Sequence, residues 1–317
     1  MTSSPHHSSL LAPLRTLWRS APIYNLRGAL FTLVERIDGY RHERATFKRM
    51  VGYELDLAHP RSLNEKIVWK KLFDRDLRLA RTADKYRVRD YVRETLGEEG
   101  ERILVPLLYA GSDPAQIPFD TLPSEYIIKA NNDSGGHHIV RAGDAVDRAA
   151  VVRRFRRLSH LVYGVMKHEW VYSQIPFMVI VEALLRGEDG DLAQDYKFHV
   201  FNGTCRFIHT TPKIDGKRSG KRSLFTPDWQ LLPVAWKHDR GPMVPPPAAL
   251  AEMIRIAEKL GRGFDYVRVD LYNVGGRIYF GELTHYHGSG MERFVPESFD
   301  FEAGAWWDWQ PDYWKQR

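Results

Sequence analysis

The sequence has one cysteine, no long apolar run and no signal-peptide pattern at its N-terminus. Cys205 stands alone among 317 residues, which excludes an internal disulfide framework and a zinc site built from cysteines. So little cysteine is typical of a reducing compartment. No stretch reaches 18 apolar residues, so we expect no membrane-spanning helix. We therefore expect a cytoplasmic protein.

The composition is typical of a globular protein with an anionic partner. Hydrophobic residues make up 43% of the sequence and charged residues 27%, a balance that supplies a core and does not favour disorder. The net charge of +6 favours a nucleotide, an acidic sugar, a lipid headgroup or a nucleic acid as partner. The arginines at 153, 154, 156 and 157 do not form one helical stripe, so we expect a solvated face and no nucleic-acid binding.

Local patterns predict an irregular alternation of helices and strands. Ser62 and Glu65 predict a capping box at the start of one helix. The predicted helices cover 25–55, 60–76, 82–97, 145–166 and 247–261, the predicted strands 101–111, 124–130, 176–185 and 195–211, and a predicted loop 213–230. Hairpins occur as well as crossovers, so the predicted fold class is α+β rather than a doubly wound parallel sheet.

The segment VRVDLYNVGGRIYFGELT predicts a β-hairpin that carries acids among its apolar residues. With a three-residue loop over 275–277, Asp270 lies opposite Glu282 on one face of the hairpin. The same register pairs Arg268 with Thr284. A two-residue Gly-Gly turn instead puts the acids on opposite faces. Facing carboxylates suit Mg²⁺ bound together with phosphates, whereas the alternative is a surface hairpin with solvated charges.

Lys129 ends a short predicted strand and precedes a small, polar loop that contains Gly135 and Gly136. A lysine at a strand end can meet a phosphate, and glycine backbone can approach phosphate oxygens closely. The order differs from the Walker pattern, in which the lysine follows the glycines. The alternative is a solvated lysine before an ordinary hairpin turn.

Two further segments place charges where a nucleotide could meet them. Asp84 and Lys85 are predicted to open an amphipathic helix, although an ordinary cationic helix face has the same pattern. An apolar strand ends in Glu182, where main-chain groups and apolar side chains can meet a flat base. Asp195 and Lys197 share one face of the following strand, and a charge pair on an edge strand is the alternative.

The order of these parts resembles the ATP-grasp superfamily. More narrowly, the sequence resembles its TupA-like branch, named for teichuronopeptide biosynthesis. The resemblance covers roughly residues 55–305 and is carried by PRSLNEKIVWKKLFD, ADKYRVRDYV, IIKANNDSGG, DYKFHVFNG and VRVDLY…IYFGELT.

The resemblance implies an ATP-grasp fold, in which two α+β subdomains hold ATP between them, preceded by a short helical region. We expect an N-terminal extension over 1–54, partly disordered and then helical, and an N-terminal subdomain over 55–125. A lid subdomain is expected over 126–185. The C-terminal subdomain, with the metal-binding hairpin and an aromatic tail, is expected over 186–317.

The resemblance also implies roles for single residues. ATP would be bound by Lys85, Lys129, Ser134, Gly135, Gly136, Glu182, Ala183, Leu185 and Asp195. Mg²⁺, or Mn²⁺ in its place, would be held by Asp270, Glu282 and Thr284, where Thr284 replaces the asparagine that the superfamily usually has. Arg268 would stabilise the acyl-phosphate and the tetrahedral intermediate, and Lys197 is a second expected catalytic residue.

The function implied by the resemblance is an ATP-dependent carboxylate–amine ligase that works through an acyl-phosphate. The TupA-like branch suggests a surface polysaccharide or its precursor as carboxylate substrate, for example a uronic acid or peptide, and an amino acid or amine as the second substrate. One alternative is a polysaccharide-pathway glycosyltransferase, although no DxD motif follows a strand. A catalytically inactive ATP-binding module is another.

Two groups of aromatic residues remain outside these motifs. The C-terminal group contains Trp306, Trp307, Trp309, Tyr313 and Trp314. We expect it to pack on the body of the protein, with contact to a membrane surface or to polysaccharide enzymes as the alternative. The second group, His209, His285 and His287, has no metal-ligand spacing, so these residues are expected to be substrate contacts at most.

Overall fold

The computed structural model describes residues 21–214 and 217–312, and the first part of this chain is helical. Its helices are α1 (Ala21–Ile37), α2 (Arg41–Val51), α3 (Leu63–Phe73), α4 (Leu77–Ala83), α5 (Val88–Leu96) and α6 (Glu98–Ile103). The disorder expected at the start of the chain concerns residues 1–20, which lie outside the described residues. Among the described helices, none is both long and apolar enough to cross a membrane.

The predicted capping box at the start of α3 is present. The Ser62 hydroxyl accepts the Glu65 N–H at 3.1 Å, and the Glu65 carboxylate accepts the Ser62 N–H at 3.0 Å. At the end of α5, the Gly97 N–H donates to the Arg93 carbonyl at 2.7 Å. These helix ends depend on neighbouring residues alone, so the sequence could predict them.

Two expectations in this region are wrong. Asp84 and Lys85 do not open a helix, because the Asp84 carboxylate accepts the Tyr86 N–H at 2.8 Å in a turn that delays α5 until Val88. Residues 101–103, expected to begin a strand, belong to α6. Its first turn contains three glutamates, which favour a helix N-terminus.

A four-stranded antiparallel sheet follows, with the strand order β1-β4-β2-β3. Its strands are β1 (Leu107–Gly111), β2 (Tyr126–Ala130), β3 (His137–Val140) and β4 (Val179–Ala183). Helix α7 (Arg148–Ser159) lies against this sheet. Val151 and Phe155 of α7 share a small core with Ile128 and Val181.

A larger sheet forms the second half of the molecule, with the order β12-β11-β5-β6-β9. Its strands are β5 (Asp195–Phe201), β6 (Thr204–Thr210), β9 (Ser223–Phe225), β11 (Tyr266–Val274) and β12 (Arg277–Thr284). The remaining elements are β7 (Lys213–Ile214), β8 (Lys217–Arg218), β10 (Ala235–Trp236), α8 (Leu250–Gly261), β13 (Phe294–Val295) and α9 (Ser298–Ala305).

The middle of the chain contains more strands than expected. Residues 195–211 form a hairpin rather than one strand, because Asn202 and Gly203 turn the chain with φ values of 47° and 81°. The expected loop over 213–230 includes the short pair β7–β8 and the edge strand β9. The polar, basic composition of this stretch predicted a loop, so the buried Ser223–Phe225 strand was not predicted.

The main hydrophobic core lies between the five-stranded sheet, α3, α8 and the C-terminal aromatic residues. Trp307 is buried, and Trp306 and Trp309 are partly buried against the same core. This confirms the expected packing of the aromatic tail for these three residues. Tyr313 and Trp314 lie outside the described residues.

Candidate active site

A cleft of about 500 Å³ lies between the two sheets. It is lined by thirteen of the fourteen residues that the sequence suggested for the site: Lys85, Lys129, Ser134, Gly135, Gly136, Glu182, Ala183, Leu185, Asp195, Lys197, Arg268, Asp270 and Glu282. The fourteenth, Thr284, donates its hydroxyl to Glu282 Oε1 at 3.0 Å. Residues from distant parts of the sequence therefore meet around one volume of the size that binds small molecules.

The two acids of the β11–β12 hairpin face each other. Asp270 pairs with Glu282 across the ladder, as the sequence suggested. The predicted three-residue loop is wrong, however, because Val274 pairs with Arg277 and leaves a two-residue turn at 275–276. A turn of this length alone would put the two acids on opposite faces.

A β-bulge restores the register. Leu271 pairs with Phe280, whereas the preceding Asp270 pairs with Glu282, so Gly281 is an extra residue on β12. A Cβ atom at Gly281 would lie only 3.0 Å from the Asp270 carbonyl oxygen, which explains a glycine at this position. The bulge therefore brings both carboxylates to the cleft.

Arg268 joins the two carboxylates. Its Nε and Nη2 donate to the two oxygens of Asp270 at 2.6 and 2.7 Å, and Nη2 also donates to Glu282 Oε1 at 2.8 Å. Burial raises the pKa of Asp270 to about 6, although Arg268 and Lys197 oppose the shift. For Glu282, desolvation again favours the protonated form, but Arg268 and Lys85 outweigh it and lower the pKa. We call Lys197, Arg268, Asp270 and Glu282 the hairpin wall.

The hairpin wall suits a divalent cation that is shared with phosphates. Asp270 and Glu282 supply hard oxygen ligands from adjacent strands, and both side chains line the cleft. Within residues 21–214 and 217–312, no group of three or more His, Cys, Asp or Glu side chains could hold a metal ion. Two carboxylates fit Mg²⁺ or Mn²⁺, which take further oxygen ligands from phosphate and water.

Lys197 links the hairpin wall to β5. It forms an ion pair with Asp195, two residues away on the same strand face, and its Nζ lies 3.9 Å from Asp270 Oδ2. The expected pairing of Asp195 and Lys197 on one face is therefore present. β5 is an inner strand of the sheet, so the edge-strand alternative is wrong.

The opposite side of the cleft carries two lysines and the loop between β2 and β3. Lys129 Nζ donates to Glu182 Oε2 at 2.8 Å, and Lys85 Nζ donates to the Asp133 carbonyl. We call Lys85, Lys129 and the loop 132–136 the lysine wall. Gly135 has a φ of +85°, which favours glycine, and a Cβ atom at Gly136 would require the Asp133 carboxylate to move.

Arg89 is a part of the site that the sequence did not reveal. Its Nη1 lies 3.1 Å from Glu182 Oε1, so Glu182 is held by Arg89 and Lys129 together. Arg89 is buried beside Val88 and Val92 on α5. The sequence signal for the burial of Arg89 was its position between two apolar residues, Val88 and Val92, on an amphipathic helix.

A chain of hydrogen bonds through His287 to Glu292 supports Arg268. Arg268 has only donors, so the 2.5 Å contact with His287 Nδ1 makes that nitrogen the acceptor. The other ring nitrogen, Nε2, then donates to Glu292 Oε2 at 3.1 Å. Burial lowers the pKa of His287 to about 3, which keeps the ring neutral for this arrangement.

The expected histidine contacts with substrate do not occur in the cleft lining. His209 and His285 are 2% exposed and His287 is 4% exposed. His209 Nδ1 lies 2.8 Å from His199 Nε2, and His285 Nε2 lies 2.8 Å from the Thr82 hydroxyl. These rings belong to the interior that holds the hairpin wall in place.

Comparison with known proteins identifies the family. A family model described as TupA-like ATPgrasp matches residues 65–307. Among solved structures, the D-alanine–D-alanine ligase of Bacillus anthracis is 16% identical, with 65% of this chain and 58% of that chain covered and a TM-score of 0.38. The corresponding ligase of Helicobacter pylori is 13% identical, with 71% and 61% covered and a TM-score of 0.39.

A third solved structure, the L-amino acid ligase of Bacillus licheniformis, is 12% identical, with 65% and 44% covered and a TM-score of 0.41. The chain thus spans less than two thirds of the length of each of these three proteins. No curated protein matches the sequence. The family match covers most of the chain and confirms the resemblance and the expected ATP-grasp fold. The chain belongs to the TupA-like ATP-grasp family.

Proposed function

We propose that this protein is an ATP-dependent ligase that joins a carboxylate to an amine through an acyl-phosphate. The observation that carries the proposal is the meeting of the lysine wall with the hairpin wall in one cleft. One side of the cleft carries lysines, and the other carries Arg268 and two carboxylates. These groups suit a phosphoryl transfer, because such a reaction depends on positioning and charge neutralisation. Family membership supports the same reading.

In the first step, a carboxylate oxygen of the substrate attacks the γ-phosphorus of ATP. The bond from this phosphorus to the oxygen bridging to the β-phosphate breaks, and ADP leaves. Lys85 and Lys129 bind the phosphates, and Ser134, Gly135 and Gly136 cover them. Mg²⁺ held by Asp270 and Glu282, with Thr284 beside them, would neutralise phosphate charge when bound.

In the second step, the amine nitrogen attacks the carbonyl carbon of the acyl-phosphate. The tetrahedral intermediate carries a negative oxygen, which Arg268 stabilises with a guanidinium N–H. The carbon–oxygen bond to phosphate then breaks, the amine nitrogen loses a proton, and the products are an amide and inorganic phosphate. Lys197, beside Asp270, adds positive charge for the leaving phosphate.

The nucleotide base and ribose would lie near the end of β4. Glu182, Ala183 and Leu185 line this part of the cleft, and Asp195 lies across from them on β5. The side chain of Glu182 is engaged by Lys129 and Arg89, so its contribution to the base is mainly through neighbouring main chain. Apolar side chains such as Ile127 and Tyr272 complete the pocket.

The substrate class rests on the family association with teichuronopeptide synthesis alone. It favours a uronic acid or peptide carboxylate of a surface polysaccharide precursor, joined to an amino acid or amine in the cytoplasm. Contact with a membrane surface or with other polysaccharide enzymes stays a prediction. Trp307 is buried, so among residues 217–312 the half-buried Trp306 and Trp309 are the tryptophans of the tail that would be available for such a contact.

The test is ADP release together with trapping of the acyl-phosphate. Wild-type protein is incubated with Mg-ATP, hexuronic acids or acidic peptides, and hydroxylamine, which intercepts an acyl-phosphate as a hydroxamate. We expect hydroxamate with at least one carboxylate, and hydroxamate formation about 10²–10³-fold slower in Arg268→Lys. ATP binding without hydroxamate or ADP from any carboxylate would instead support an inactive ATP-binding module. Turnover of a nucleotide sugar without ATP would support a glycosyltransferase.

A further inference from the structure

Helix α1 exposes a continuous row of large apolar side chains. Five of them are between 53% and 77% exposed: Leu26, Leu30, Leu33, Val34 and Ile37. Their spacings of three and four residues place them on one side of the helix. We call these five residues the α1 stripe. A helix on a protein surface usually turns its apolar side toward the core, so the arrangement in α1 is inverted.

The polar residues of α1 face the body of the protein and hold the helix in this rotation. The Asn25 side chain donates to the carbonyl of His160 at 2.8 Å and accepts the N–H of Val162 at 3.0 Å. The buried Glu35 carboxylate accepts the N–H groups of residues 42 and 43 at 3.0 and 2.9 Å. These hydrogen bonds come from the side of α1 opposite the α1 stripe, so they keep the stripe turned outward.

Gly28 lets the inner side of α1 approach the body closely. A Cβ atom at this position would lie 2.5 Å from Cγ1 of Val165, so a larger residue would push the helix away. Polar and small residues therefore attach α1 to the protein. The α1 stripe is left for a contact outside the described part of the chain.

The charges around the α1 stripe are positive. At about 100° of rotation per residue, Arg27 and Arg36 lie at opposite edges of the stripe, and both are exposed. Glu35, the one acidic residue of α1, is buried on the other side. Residues 1–34 of the sequence contain three arginines and no acidic residue. The partner of this face should therefore combine apolar groups with negative charge.

An anionic lipid membrane has this combination. The apolar side chains of an interfacial helix enter the boundary between headgroups and acyl chains, and arginines at its edges stay level with the anionic headgroups. A second copy of the chain fits less well, because its own α1 stripe would bring the same arginines and no acidic residue on that face.

We infer that α1 binds the surface of an anionic lipid membrane, with the α1 stripe inserted and the helix axis parallel to the membrane plane. No described residue of α1 lines the nucleotide cleft. The contact therefore leaves the cleft open, and the inference does not depend on the proposed ligase chemistry. It also gives a function to a helix that precedes the residues matched by the family model.

The first experiment measures co-sedimentation of the full chain with lipid vesicles. We expect binding to vesicles of phosphatidylglycerol and phosphatidylcholine in equal parts, and much weaker binding to phosphatidylcholine alone or in high salt. Leu30→Glu should lower the affinity about tenfold or more, because it removes an inserted side chain and turns a negative charge toward the lipid. No binding of wild type to the anionic vesicles would overturn the inference.

A matched control and a second variant complete this experiment. Met243→Glu makes the same kind of change at a position of similar exposure, 56% against 53% for Leu30, on the segment between β10 and α8, and should bind like wild type. Ile37→Glu, at a position 77% exposed, replaces Leu30→Glu if that variant has a lower melting temperature than wild type. Equal affinity of wild type and the folded α1 variants would also overturn the inference.

A second experiment separates the membrane from other occupants of the α1 stripe. Cys205 is buried, so a thiol introduced by Leu30→Cys can be labelled selectively with nitrobenzoxadiazole, whose emission shifts to the blue in apolar surroundings. We expect this shift only when anionic vesicles are added, and none for a label at Met243→Cys. A blue-shifted label without vesicles would overturn the inference. It would show that a second copy covers the stripe if the shift depends on protein concentration, and that another part of the same chain does so if it does not.

Discussion

The hairpin wall and the lysine wall hold their charges in different ways. On the hairpin wall, Arg268 and Asp270 are 8% and 6% exposed, and four of the five guanidinium N–H groups have side-chain partners, which leaves one N–H for a ligand. On the lysine wall, the Lys129 side chain is 25% exposed and stands beside a loop that contains Gly135 and Gly136. A buried group with several hydrogen bonds keeps its geometry, whereas a more exposed lysine and a glycine loop can adjust to a ligand.

This difference separates two tasks. The hairpin wall places one arginine and two carboxylates accurately, which is what stabilisation of a transition state requires. The lysine wall supplies positive charge that can approach phosphates as they arrive. Changes in the hairpin wall should therefore affect the rate of the chemical step, and changes in the lysine wall should affect ATP binding.

The largest effect is expected for Arg268→Lys. It keeps the positive charge but removes the hydrogen bonds to Asp270 and Glu282, and with them the directed donor for the negative oxygen. We expect kcat for hydroxamate formation to fall by about 10²–10³-fold, the usual cost of losing an oxyanion donor. Arg277→Lys, at an exposed position on the same hairpin, is the control and should keep full activity.

A smaller effect is expected for the pH dependence of stability. The pKa of Asp270 is raised to about 6 from 3.8, so the folded protein keeps this proton at a pH where the unfolded chain has lost it. The free energy of unfolding of wild type should therefore fall between pH 3.8 and about 6, by about 2 kcal/mol relative to Asp270→Asn. Urea unfolding of both proteins across this range is the measurement. A difference that does not change with pH would show that Asp270 ionises normally.

The smallest effect is expected for substitutions of His287, which supports Arg268 of the hairpin wall. Asn at this position keeps an acceptor near the place of Nδ1 for Arg268, whereas Gln keeps a donor near the place of Nε2 for Glu292. If His287 acts by positioning Arg268, His287→Gln should lower kcat about tenfold with an unchanged KM for ATP. His287→Asn should retain more activity. A general loss of stability in both variants with equal kcat would indicate a purely structural role.

Local sequence patterns were enough to predict the parts of the fold that depend on residues close together in the sequence. The Ser62–Glu65 capping box and the Gly97 helix end are examples. The pairing of Asp270 with Glu282 was also predicted, but from an assumed three-residue loop that the hairpin does not have. The turn has two residues, and the bulge at Gly281 corrects the register. A glycine within a strand was the only sign of this bulge.

The rest of the site depends on contacts between distant residues. Arg89 and Glu182 are 93 positions apart, and Glu292 reaches Arg222 across 70 positions. No local rule pairs such residues, and only the folded chain shows that Arg89 holds Glu182 or that His287 holds Arg268. The outward rotation of α1 likewise depends on Asn25, which donates to the His160 carbonyl across 135 positions.

The most direct test of the account is thermal stabilisation by Mg-ATP. Wild type is compared with Asp270→Asn, Glu282→Gln and Lys129→Ala, and with Glu297→Gln at an exposed position as control. A ligand at 100 times its Kd stabilises the folded state by about 2.7 kcal/mol. We expect stabilisation of wild type and of the control that requires both Mg²⁺ and ATP, and its loss in the three site variants. No stabilisation of wild type would contradict the assignment of the cleft to ATP.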